Sequence, residues 1–155
     1  MTEEQMSAYK MRITQAGVGD LTVIMLEMEM QWIDEALAAY EKKDMDTFLS
    51  SVNKAQGVQV ELMNVMNHEN PVAAEVYSVF VFINKELIHA KIKKQPLDIA
   101  RCRDMLAKYH KSFKEIAKTD TAGPVMAQSE KVYAGLTYGT GGLVESSVGG
   151  TEYTV

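Results

Sequence analysis

The chain has 155 residues, 46% hydrophobic and 24% charged, with a net charge of −5. That is enough for one domain with a sizeable core, and the acidic balance argues against a general nucleic-acid binder, whose affinity rests on neutralising phosphates. A single cysteine, Cys102, excludes an intramolecular disulfide framework. The start, Met1-Thr2-Glu3-Glu4-Gln5, is too polar for a signal peptide, and no run approaches the ~18 apolar residues of a membrane span. The expectation is a cytoplasmic protein with no membrane insertion.

In chain order, the punctuation predicts five helices. A short one near 3–13 ends before Gly17 and Gly19. Asp20 is placed to cap a second helix near 20–41. Lys42-Lys43-Asp44 separates it from a third, near 46–67, with Asp44 or Asp46 as the cap. Asn70-Pro71 marks the start of a fourth, near 71–93, because Pro at the first helical position gives up no needed hydrogen bond. Gln95-Pro96 repeats the device before a fifth, near 96–118. Short connections favour antiparallel neighbours. The predicted fold is all-α: an antiparallel four-helix bundle with a short extra N-terminal helix.

Composition changes near Thr119. Seven of the ten glycines lie in 119–155, and glycine costs a helix about 1 kcal/mol relative to alanine. The chain therefore divides into a helical bundle, 1–118, and a Gly/Ser/Thr-rich tail, 119–155. The tail also carries scattered apolar residues. It is expected to be flexible, docked on the bundle or a neighbouring chain, or folded as a hairpin around Gly139-Thr140-Gly141-Gly142.

Periodicity separates the helices into two kinds. The third and fifth each carry one apolar stripe. The second has Leu21, Ile24, Met25, Met28, Trp32 and Ala36 on one side, and Val23, Leu26, Met30, Ile33 and Leu37 roughly opposite. The fourth has Val76, Phe80, Ile83 and Leu87 on one face and Tyr77, Val81, Ile88 and Ile92 on another. A helix apolar on two faces must bury both or leave one for a partner. From this pattern Val23, Leu26, Met30, Ile33, Tyr77, Val81 and Ile88 are candidate partner-binding residues, or lie beneath the N-terminal segment that covers the site. Tyr9 and Ile13, at i and i+4, are the apolar anchors of that segment, and Gly17-Val18-Gly19 is its hinge.

No constellation points to catalysis or a cofactor. Glu86-x-x-His89 is a single Glu-x-x-His at helical spacing, whereas a di-iron bundle needs two with further glutamates. A metal-binding ferritin-like bundle is therefore the weakest alternative. His68, His89 and His110 lack zinc-ligand spacing. Cys102 sits on an apolar stripe and reads as a small core residue. No metal, cofactor or catalytic residue is expected.

Several segments together resemble one family. These are Ala8-Tyr9, the run from Ile13 through Gly17-Val18-Gly19-Asp20 to Glu27, and Trp32-Ile33-Asp34-Glu35-Ala36. Further on come Lys54-Ala55-Gln56 with Glu61-Leu62, Val79-Phe80-Val81-Phe82-Ile83 and Leu87-Ile88-His89-Ala90. In order, they resemble the flagellar export chaperones of the FliS family over about residues 8–118. The resemblance implies a cytoplasmic, non-enzymatic chaperone that binds the unstructured C-terminal segment of flagellin, blocks premature polymerisation and hands it to the export gate. It also implies an N-terminal segment that rearranges when the client binds. The alternative is a divergent paralogue of the same fold that binds a different flagellar or regulatory protein.

Overall fold

The computed structural model describes residues 1–66 and 71–118. Among these it holds five helices and no strand: α1 (Glu3–Gln15), α2 (Val18–Glu41), α3 (Met45–Val65), α4 (Pro71–Lys93) and α5 (Ile99–Ala117). Asn70, the expected cap of α4, and the glycine-rich tail lie outside the described residues.

Local chemistry sets the boundaries. Thr2 opens α1 with a reciprocal capping box: its hydroxyl accepts from the Gln5 N–H at 3.2 Å, and the Gln5 side chain accepts from the Thr2 N–H at 2.8 Å. α2 begins two residues earlier than Asp20 would have it. Gly17, with extended backbone, is the cap, and its carbonyl accepts from the Leu21 N–H at 2.9 Å. Asp20 then falls in the first turn, where its charge suits the positive end of the helix. α2 closes with Lys43 in the left-handed region (φ 60) while the Asp44 N–H reaches back to the Ala39 carbonyl at 2.9 Å. Asp44 caps α3 as expected, accepting from the Thr47 N–H at 3.1 Å. α5 starts at Ile99 rather than Pro96, because Leu97 at φ 47 interrupts any helix running from the proline.

α2, α3, α4 and α5 form an antiparallel ring. α2 packs most extensively on α3 and α5, α4 bridges those two on the far side, and α1 packs chiefly on α2. Specific pairs fix the register: Tyr40 against Phe48 with ring centroids 5.2 Å apart, Lys54 Nζ 4.4 Å from the Trp32 ring, and Phe80 edge-on to Tyr109 at 5.8 Å. Asp34 takes a two-pronged contact from Arg103 at 3.0 and 3.1 Å, which ties α2 to α5. Leu26, Ile33, Phe48, Val52, Leu62, Phe80, Ile83, Leu87 and Leu106 are all fully buried.

One core position breaks the apolar rule. Glu29 is fully buried, and neither carboxylate oxygen has a hydrogen-bond partner. Continuing the α2–α3 register by about one turn puts it level with Gln59, also buried with both amide atoms unpartnered. Burial pushes the Glu29 carboxyl well above its ordinary value of 4.5, so the folded protein holds it protonated. The unfolded chain releases that proton near the ordinary value. Stability from this site is therefore full in acid and is lost as pH rises through the folded pKa. Glu29→Leu should raise stability by about 1–3 kcal/mol, the cost of an unsatisfied buried polar group. It should also flatten the fall in melting temperature as pH rises above the ordinary carboxylate range, read from thermal melts of the two proteins.

Candidate partner-binding surface

α1 lies antiparallel on α2 and is held at both ends by charge. The amino group of Met1 pairs with Glu35, and Arg12 Nη1 donates to Glu27 Oε2 at 2.5 Å. Arg12 also stacks on Tyr9, 5.5 Å from the ring centroid. Between these ends Tyr9 and Ile13 are buried in the common core, Ile13 being 2% exposed. A cleft of about 290 Å³ marks the seam, lined by Arg12, Gln15, Ala16, Asp20, Val23 and Ile24.

These anchor points identify which face of α2 the first helix covers. Glu27, Gln31 and Glu35 are spaced i, i+4, i+8, and Ile24, Met28 and Gln31 run alongside. Ile24 and Met28 are buried beneath α1, with Leu21 and Trp32 on the adjoining stripe towards α3. Leu26 and Ile33 point roughly the opposite way, into the four-helix core, and both are fully buried. Met30 is half-buried against that core. Val23 is buried at the edge of the α1 seam. Leu26→Asp or Ile33→Asp would thus strand a carboxylate inside the bundle and read as lost folding before lost binding.

α4 supplies a separate surface. Tyr77, Val81, Asn84, Ile88 and Lys91 follow i, i+4, i+7, i+11, i+14 along one flank. Lys91 Nζ donates to Asn53 at 3.2 Å and Gln56 at 3.1 Å, so that flank faces α3. Tyr77, Val81 and Ile88 are half-buried there. Beyond them Phe82 and Ile92 are open to solvent, 39% and 68% exposed. α2 and α4 are diagonal in the ring. The residues expected from the sequence are therefore not brought together. They divide into core positions (Leu26, Ile33), the α1 seam (Tyr9, Ile13, Val23) and the α4 flank.

Ile24, Met28 and Trp32, beneath or beside α1, were not separable from the core stripe by periodicity alone. The available signal was the acidic line Glu27–Glu35 next to them, which matches the cationic ends of α1.

Glu27 is also the electrostatic junction of three helices. His110 Nε2 on α5 lies 2.9 Å from Glu27 Oε1; an ionised carboxylate only accepts, so the imidazole carries a proton on that nitrogen. Burial pushes the Glu27 carboxyl up, but hydrogen bonds from Arg12 and His110 outweigh it and hold it below its ordinary value. No chemistry of bond making assembles nearby. Cys102 is buried and its thiol is pushed up to about 12, first by burial and then by Glu86 and Glu29. His89 is a surface residue 3.8 Å from Glu86. Among the described residues no group of three or more His, Cys, Asp or Glu side chains is placed to hold a metal ion, and no helix is long and apolar enough to cross a membrane.

A five-helix chain with this order, and a first helix laid over the second, agrees with what the sequence resembles. The family model described as flagellar protein FliS matches residues 1–120. The chain belongs to the FliS family. A comparison with curated proteins gave no match. Membership makes this FliS-family protein a flagellar export chaperone built on a helical bundle.

The Arg12–Glu27 pair is partly exposed and is worth at most about 1 kcal/mol. Arg12→Ala should speed amide hydrogen exchange across α1 by about fivefold while α3 and α4 keep their protection. Because Glu27 has a depressed pKa when folded, the pair is closed above the ordinary carboxylate range and is lost as pH falls through the folded value. The same exchange measurement in acid should show α1 opening first in the unmodified protein.

Proposed function

We propose that this chain is a cytoplasmic chaperone that binds the disordered C-terminal segment of flagellin, keeps it from polymerising early and accompanies it to export. The observation that carries this reading is the outer face of α2. Ile24 and Met28 lie outside the four-helix ring's own interior and are buried with α1 in place, while Leu21 and Trp32 stand between them and α3. Exposing Ile24 and Met28 to water would cost roughly 3–6 kcal/mol. The face is therefore filled at all times, and a client takes it by exchange with α1. Helix-in-groove capture suits a segment that is unstructured when free, since apolar burial has to exceed the entropy lost on ordering. The sequence's hinge shortens to Ala16-Gly17, both extended, since Val18 and Gly19 already belong to α2, and this link gives α1 room to swing. The α4 flank of Tyr77, Val81 and Ile88, with Ile92 open at its end, offers a second contact for the same client.

The test is calorimetric titration of a C-terminal flagellin peptide from the same organism into the full chain and into a form lacking residues 1–14. Both forms should melt cooperatively, the shorter at lower temperature. The shorter should bind about tenfold more tightly, because a competing occupant has gone. Absence of binding to either folded form would sink the flagellin reading. Binding of a regulatory or export-gate flagellar protein in its place would identify the paralogue alternative.

A further inference from the structure

Two polar atoms beneath and beside α1 are sealed from solvent without a partner: Gln31 Oε1 and Trp32 Nε1. Gln31 stands midway between Glu27 and Glu35, the two residues that hold the ends of α1, so its side chain lies under that helix. Trp32 is one residue further round, 2% exposed, with Lys54 of α3 over its ring. One atom is an acceptor and the other a donor. α1 lies over Gln31, Trp32 stands at the seam between α1 and α3, and neither atom is satisfied.

A buried polar group without a partner carries its full desolvation penalty, whereas one that gains a partner recovers it. α1 is therefore a good apolar lid and a poor polar one. The geometry points to Gln31 and Trp32 as specificity-determining residues: the segment that replaces α1 presents a hydrogen-bond donor to Gln31 Oε1 and an acceptor to Trp32 Nε1. A helical segment does this with amide or hydroxyl side chains spaced along its buried face, such as Asn, Gln, Ser or Thr. Such a partner gains at both sites relative to α1, while an equally apolar segment without those groups gains nothing. Discrimination arises because a site built to hydrogen-bond rejects a ligand lacking the group far better than an apolar pocket rejects an extra methylene. This rests on the reading that a client displaces α1, and it adds which clients succeed.

The experiment uses the full chain. Trp32 is its one tryptophan, so growth with benzothienylalanine, an isostere without the N–H, removes that donor and leaves the shape. Gln31→Met removes the acceptor at similar volume, and Leu106→Met, inside the ring core and away from the client face, is the apolar control. Each protein is melted and titrated with the C-terminal flagellin peptide. The isostere and Gln31→Met should melt at or above the unmodified protein. Each should bind the peptide about tenfold more weakly, while Leu106→Met binds within about twofold. Peptide affinity unchanged by both replacements would overturn the assignment while leaving the flagellin reading intact. No binding to the unmodified chain would overturn the flagellin reading itself. Lower melting temperatures for both replacements would show that α1 satisfies these atoms, and would overturn the assignment by another route.

Discussion

The whole arrangement depends on the girth of α2. Its apolar residues wrap most of its circumference, and water cannot be allowed on any side of it but a narrow polar strip. α3 and α5 bury two flanks, and the interior of the ring buries a third. What remains faces away from the ring, where a four-helix bundle has nothing to offer. A fifth element is then obligatory, and α1 meets the need with few of its own residues: Tyr9, Ile13 and Ala16 reach the common core, while Met11 is 64% exposed on its outer side. A helix of that composition has little reason to be helical by itself. It is ordered because α2 needs covering.

Charge placement on α2 follows the same geometry with opposite results two residues apart. Glu27 lies on the rim between α1 and α5, where Arg12 and His110 reach it, and its carboxylate is held ionised. Glu29 turns into the ring, where no group donates to it, and burial holds its carboxyl well above its ordinary value. One fastens the outer helix to the bundle; the other weakens the bundle from inside. The local sequence Glu27-Met28-Glu29 gives no hint of the difference, since it lies in the direction each side chain takes rather than in its chemistry.

Much of the fold was legible in the chain because its helices are long and their breaks chemically explicit. Lys42-Lys43-Asp44 ends one helix and caps the next, as its residue types require. Errors of two or three residues arose where backbone geometry outweighed side-chain preference: Gly17 displaced Asp20 as a cap, and Leu97 in a left-handed conformation delayed α5. The candidate site was legible in part. That α2 and α4 carry surplus apolar faces is a property of spacing. Which face of α2 turns outward is not, because Leu26–Ile33 and Ile24–Met28 are equally apolar and differ only in what packs on them. That Gln31 and Trp32 each hold an unpartnered atom was not legible, because an unsatisfied atom exists only once its surroundings are fixed.

The diagonal placement of α2 and α4 has a consequence for the shape of any ligand. The surface under α1 and the α4 flank of Tyr77, Val81 and Ile88 stand on either side of α3, so the path between them passes over that helix. With helix axes 8–10 Å apart, the route is on the order of 20 Å and needs roughly six residues of extended chain. A single short helix can occupy one surface or the other. A partner that uses both has to be a belt with two contact segments and a tether between them. Its grip then depends on the length of the tether as well as on the fit of each end.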